Sequence, residues 1–298
     1  MSDSPHVTRS HLPWVVLSLG ICAVSSGAIF AKMADAPGLV TAAWRVGLAA
    51  VILLPLVIWK GRQEIAALSR AQIGLSILSG FFLAIHFATW ITSLQYTSVA
   101  NSVVLVNTNP LWVALLMPWL LKESVSPRAW LGIGLSVGGA LVIGLSDIGT
   151  DSKALLGDGL ALVGGLSLSF YLLFGRKLRP SLSLIPYVGL CYGSAAIFLW
   201  IAVLISGLPC TSFSSSTWGA FFGLALVSQI LGHSSYNWAL RHFTASFIAM
   251  ALLAEPVLCS LAAWIFFGEA LTWRQALGDG LILAGIVLAA QANNEIKN

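Results

Sequence analysis

The feature that most constrains this chain is a succession of ten apolar runs, each close to the length a helix needs to cross a membrane. They lie near residues 13–34, 38–59, 72–94, 98–121, 128–146, 154–175, 182–206, 216–240, 244–267 and 273–292, separated by charge, Pro, Ser or Gly. About 20 apolar residues cover the ~30 Å hydrocarbon core of a bilayer. Lipid offers no hydrogen bonds, so such runs satisfy their own backbone groups as helices. The expected fold is an all-α membrane protein with ten transmembrane helices. The shortest connection, Gln95 to Thr97, leaves almost nothing outside the membrane, and no soluble domain is expected. The first run, about 22 residues long, exceeds the core of a cleaved signal peptide and reads as a retained helix.

Composition points the same way. Hydrophobic residues make up 58% of the 298 positions and charged residues 9%, against about a quarter charged in soluble domains. The net charge of +4 does not imply a nucleic-acid partner, because Lys and Arg sit in ones to threes between apolar runs and form no basic face. Their distribution sets orientation by the positive-inside rule. With the N-terminus in the cytoplasm, eleven fall inside (Arg9, Lys60, Arg62, Arg70, Lys122, Arg128, Arg176, Lys177, Arg179, Arg241 and Lys297) and three outside (Lys32, Lys153 and Arg274), with Arg45 within the second run. An even number of spans returns the C-terminus to the cytoplasm. Cys22, Cys191, Cys210 and Cys259 have no CxxC spacing and read as apolar packing residues rather than a metal site or disulfide framework. There is no GxxxxGK[ST] phosphate loop, which excludes ATP-driven transport within the chain. No cofactor and no metal are expected.

The two halves of the sequence are related. At an offset of 146 residues Pro110 falls on Pro256, Glu123 on Glu269, Gly132 on Gly278, Gly139 on Gly285 and Leu94 on Leu240. The stretches concerned read NPLWVALLMPWLLKESVSPRAWLG and EPVLCSLAAWIFFGEALTWRQALG; nearer the front, AVSSGAIFAK and GLSLSFYLLFGRK match at an offset near 144. The units are expected to be 1–148 and 149–298. Five spans per unit is an odd number, so the second unit inserts upside down. Two inverted five-helix repeats around a central cavity are a common plan of secondary transporters.

The residues PGLVTAAWRVGLAAVILLP (37–55), SLQYTSVANSVVLVNTNPLWVALL (93–116), KESVSPRAWLGIGLSVGGALVIG (122–144) and AEPVLCSLAAWIFFGEALTWRQALGDGLILAGIVL (254–288) resemble EamA domains of the drug/metabolite transporter superfamily. The resemblance covers nearly the whole chain. It implies metabolite efflux, with helices 1, 3, 4, 6, 8 and 9 around the cavity and helices 5 and 10 bracing it. Among bacterial members the chain is most similar to exporters of aromatic and other neutral amino acids.

Polar groups at membrane depth carry a cost unless they face protein, water or a ligand. His86 and Trp90 share one face of helix 3, being four apart, and His233, Tyr236 and Asn237 share one face of helix 8, with Gln229 a turn before. The repeat puts Trp90 on Tyr236 and His86 within one residue of His233. Glu255 precedes Pro256 in helix 9 and has Asn109, before Pro110, as its counterpart; it reads either as a proton relay or as an interhelical hydrogen-bond partner. Asn101, Asn109, Ser169 and Tyr171 complete the candidate substrate-binding set. A second tier holds Arg45, which is either a snorkelling or helix-pairing residue or a clamp for a substrate carboxylate, together with Ser25, Ser26, Trp112 and Trp264. Pro110 and Pro256 are candidate hinges, one per half. Trp14, Trp59, Trp130, Trp218, Trp238 and Trp273 lie near span ends, where indoles favour the interface.

The expected function is a secondary transporter of the bacterial inner membrane, monomeric, exporting small molecules by alternating access. Aromatic walls with few polar groups suit amino acids, and equally other amphiphilic metabolites or drugs. A membrane-embedded lipid-modifying enzyme needs clustered Asp, His or Glu, and the acidic residues here are scattered. A channel fits proline-broken inverted repeats less well than alternating access does.

Overall fold

A computed structural model describes residues 11–144, 152–258 and 272–295. Helices account for its elements, and no strand occurs among the described residues. In chain order they are α1 (Leu12–Met33), α2 (Gly38–Ala66) and α3 (Arg70–Ser93), then α4 in two pieces, Val99–Val106 and Asn109–Leu120. Next come α5 (Pro127–Gly144), α6 (Ser152–Leu178) and α7 (Leu184–Ser206). In α8, α-helical pieces Ser215–Gly223 and Ser234–Ala239 flank a π-helical stretch, Leu224–His233. The last two are α9 (Ala245–Leu258) and α10 (Trp273–Glu295).

Six of these helices, α1, α2, α3, α4, α6 and α7, are long and apolar enough to cross a membrane, and two shorter apolar helices lie at 245–258 and 276–292. Their outward faces carry the residues lipid requires: Val51, Leu54 and Ile58 on α2 and Leu204 and Ile205 on α7 are exposed. Trp59 and Trp273 are also exposed near helix ends, as expected for interfacial indoles, and so is Trp119 near the end of α4. The protein is a multi-pass membrane protein.

Local chemistry explains where helices begin and break. Ser98 and Thr244 cap the starts of α4 and α9, their hydroxyls accepting from the N–H groups of Asn101 and Phe247. Each of these helices is interrupted three residues before its proline, α4 at Asn107–Thr108 and α9 at Leu253. Proline has no N–H, so Pro110 gives nothing to the carbonyl of Val106 and Pro256 nothing to that of Leu252. The turns tighten accordingly: the Thr108 N–H donates to Leu105 O at 3.2 Å and the Leu253 N–H to Met250 O at 3.0 Å. In α1 the break falls at Ser26, whose hydroxyl donates to the Ala23 carbonyl at 2.7 Å and competes with the helical ladder.

A close backbone approach pairs α5 with α10 through small residues. A Cβ on Gly132 would lie 2.7 Å from Gly285 O, one on Gly139 2.5 Å from Gly278 O, and one on Gly285 2.4 Å from Gly132 O. At the crossing the Ser136 hydroxyl donates to Ile282 O at 3.2 Å. Position rises along one helix as it falls along the other, so the pair is antiparallel. A second close approach joins α1 to α8 at Gly20 against Ser235, and a third joins α6 to α3 at Gly164 against Thr89 and Trp90.

Candidate functional site

Side chains from α1, α2, α3, α4, α6, α8 and α9 surround a small internal cavity, the polar and aromatic ones coming from α2, α3, α4, α8 and α9. Its lining includes Arg45, His86, Trp90, Asn107, His233, Tyr236 and Glu255, with Val24, Val106, Leu168 and Leu252 as apolar wall. The polar members are buried.

Arg45 is 1% exposed and does not snorkel to the interface. Its Nε donates to Gln229 Oε1 at 2.9 Å, and its guanidinium carbon sits 3.9 Å from the Phe87 ring centre and 6.0 Å from that of Trp90. The π-helical stretch of α8 carries Gln229 and His233 to this point, in keeping with the frequency of such widened turns at functional sites. On α3 the His86 Nδ1–H donates to the Gly164 carbonyl at 3.0 Å. That bond holds the ring stacked on Trp90, 5.8 Å between centroids and 6° between planes, and 6.3 Å from His233. The two histidines that the 146-residue offset brings within one position of each other thus both line the cavity, with their rings side by side.

Behind the lining lies a hydrogen-bonded layer. Tyr236 OH and His233 Nδ1 share a hydrogen bond. Asn237 Nδ2 donates to Tyr171 OH at 2.5 Å and to Tyr192 OH at 3.2 Å, and Tyr192 OH lies 3.2 Å from Ser234 Oγ. Tyr171 also packs its ring 6.0 Å from that of His233. This layer fixes the rotamers of the aromatic wall.

Other candidate positions lie elsewhere. Ser169 Oγ donates to the carbonyls of Gly165 and Asn109, tying α6 to the break in α4. Ser25 Oγ donates to Ile21 O, Ser26 Oγ lies 3.1 Å from Ser228 Oγ, and Asn101 is buried near the start of α4. None of these four, nor Asn109 or Trp112, is among the lining residues. Trp264, Cys259 and Glu269 lie outside the described residues. Two participants carry no advance signal in the sequence: Phe87, an apolar residue in an apolar helix, and Tyr192 on α7.

Several polar atoms around the cavity lack a hydrogen-bond partner: Arg45 Nη1, Trp90 Nε1, Gln229 Nε2, Asn107 Nδ2 and Glu255 Oε1. Buried polar atoms are almost always paired, so the exceptions on the lining residues Arg45, Trp90, Asn107 and Glu255, with Gln229 beside them, make this cavity the candidate binding site. Gln229 has a structural share in this: Gln229→Leu is expected to cost about 1–3 kcal/mol, because it strands the Arg45 Nε–H in a buried environment. The loss would be read as a lower unfolding temperature of the purified protein in detergent.

A polytopic helical fold around a buried chamber of polar and aromatic side chains is a frame that membrane transporters use. The EamA-like transporter family model matches residues 12–145 and again 155–291; the chain belongs to this family. Its relatives include an "Uncharacterized transporter" of Archaeoglobus fulgidus, 26% identical over 85% of this chain and 87% of its own. The "Probable amino-acid metabolite efflux pump" of Salmonella typhimurium is 24% identical over 74% and 78%. A crystal structure 17% identical, matched over 96% of this chain and 99% of its own with a TM-score of 0.76, shares the fold.

Proposed function

We propose that this transporter exports amino acids, aromatic and other neutral ones foremost, by alternating access between two inverted five-helix units, 1–148 and 149–298. The observation that carries the reading is the chamber itself, where unpartnered donors and a carboxylate meet an aromatic wall supplied by both halves. A zwitterion with an apolar side chain matches that combination. The efflux pump of Salmonella typhimurium named above supports the same direction.

The glycine contacts support inversion. Under the 146-residue offset Gly132 corresponds to Gly278 and Gly139 to Gly285, and the observed contacts are crosswise, Gly132 with Gly285 and Gly139 with Gly278. Ser136 and Ile282, which touch at the crossing, are counterparts of each other. An approximate two-fold axis between the helices produces this reciprocity, as in isologous contacts. Gly20 against Ser235 and Gly164 against Thr89 repeat it at the offsets of their helices. Ten spans, both termini in the cytoplasm and function as a monomer complete the proposal.

The test is counterflow in proteoliposomes. Saturable exchange of labelled aromatic amino acid is the expected result. Uptake that never saturates would favour a channel, and inertness across a broad metabolite panel would defeat the reading. In the same assay, run with and without a pH gradient, Glu255→Gln tests proton coupling: pH-dependent exchange left unchanged by the substitution would remove Glu255 as its relay.

A further inference from the structure

We infer that the chamber recognises its cargo at two poles, a carboxylate at Arg45 and Trp90 and a primary ammonium at Glu255, so that free α-amino acids are the ligand class rather than amines or carboxylic acids. The inference rests on the amino-acid reading above and specifies how the site would read such a cargo.

Three observations carry it. Arg45 and Glu255 line the same cavity, are 1% and 6% exposed, and form no ion pair with each other among the described residues. Each keeps an unpartnered polar atom, Arg45 Nη1 and Glu255 Oε1. A charged group at membrane depth is costly and marks a ligand or ion pathway; here two of opposite sign share one small space and attract each other across it without an ion-pair contact.

The local chemistry assigns the poles. Arg45 has spent Nε on Gln229 and its cationic face on Phe87, which holds the guanidinium in place while Nη1 stays free. Trp90, whose ring also packs near the guanidinium, adds an unpartnered indole N–H. The position a Cβ would take on Gly27 lies 3.6 Å from Arg45 Nη1 and 3.4 Å from Trp90 Cη2, so both reach the break in α1. Guanidinium and indole N–H groups only donate, which suits a carboxylate. Glu255 sits at the break in α9, on the far half of the sequence, and offers an acceptor suited to an ammonium. The stacked His86 and Trp90 with His233 and Tyr236 remain for the side chain of the cargo. An amine would leave Arg45 without a partner, and a carboxylic acid would leave Glu255 without one.

The experiment uses three near-isosteric probes, phenylalanine, 2-phenylethylamine and 3-phenylpropionate, competing against labelled phenylalanine for binding to the full-length protein in detergent. Phenylalanine is expected to compete at least ~100-fold better than either analogue, the usual scale when a built polar site loses its partner. Glu255→Gln should narrow the gap to 3-phenylpropionate below about tenfold and Arg45→Gln that to 2-phenylethylamine, each with the other gap retained. The wild-type comparison stands even if a variant fails to fold. Phenylalanine binding matched by both analogues would overturn the two-pole assignment alone. Absence of binding or counterflow for every amino acid would overturn the amino-acid reading and this inference with it.

Discussion

Gly285→Leu is expected to abolish accumulation of folded protein, while Gly280→Leu, on the same helix and less than two turns away, leaves it unchanged or raises it. Both substitutions replace glycine with a strong helix former, which by itself favours the helix by about 1 kcal/mol. They differ in what the new side chain meets. A Cβ at 285 would sit 2.1 Å from Ser136 Oγ, 2.4 Å from Gly132 O and 3.0 Å from Ser136 N, two of them backbone atoms that cannot swing away. At 280 nothing lies within 4 Å. Overpacking in well-packed interiors costs typically about 1–3 kcal/mol, more where backbone must move. Here α5 and α10 would be forced apart along their length, losing the Ser136 to Ile282 hydrogen bond and the crosswise contacts together. The measurement is monodisperse yield and unfolding temperature in detergent. Equal yields for the two variants would mean that the α5–α10 crossing does not hold the fold.

That pair of glycines also shows what could be read in advance. The small-residue runs at 132–144 and 278–288 are visible in the sequence as bracing faces, because only close backbone approach rewards so many glycines in a helix. The crosswise pairing needed coordinates, since either register leaves the same residues small. The site divides the same way. Arg45, His86, His233 and Glu255 stand out because a polar group inside an apolar run demands a reason. Phe87 and Tyr192 do not, because an aromatic in such a run is ordinary. Family resemblance assigns the cavity to helices other than α2, yet a long side chain from α2 reaches the chamber and is anchored there by Gln229. The π-helical stretch of α8 was illegible: widening the turn re-aims Gln229 and His233 without leaving a mark in residue type. Ser169 lies outside the lining of this chamber, its hydroxyl bonded to the backbone carbonyl of Asn109, while the buried amide of Asn109 keeps both its polar atoms unpartnered.

The prolines lead to the second large effect. Pro110→Ala with Pro256→Ala is expected to slow counterflow by roughly 10- to 100-fold while leaving binding of labelled phenylalanine within a few-fold of wild type. Each proline withholds an N–H from the carbonyl four residues before it, Val106 or Leu252, and both of those residues line the chamber. Alanine would restore the donor and favour a continuous helix by up to about 3 kcal/mol per site. If the breaks at Asn107–Thr108 and Leu253 are where α4 and α9 bend as the chamber opens, stiffening them penalises the opening step and not the contacts with cargo. The energy at stake exceeds 1.4 kcal/mol, which corresponds to tenfold in rate. The two single variants separate the halves: a hinge in each predicts that each slows exchange and that the double variant is slowest. The Pro256 site lies beside Glu255, so its single variant also reports on binding, whereas Pro110 is followed by an apolar run and preceded by Asn109, which does not line the chamber. Loss of binding in the Pro110→Ala variant, or unchanged exchange in the double variant, would assign both prolines to packing and place the moving parts elsewhere in the fold.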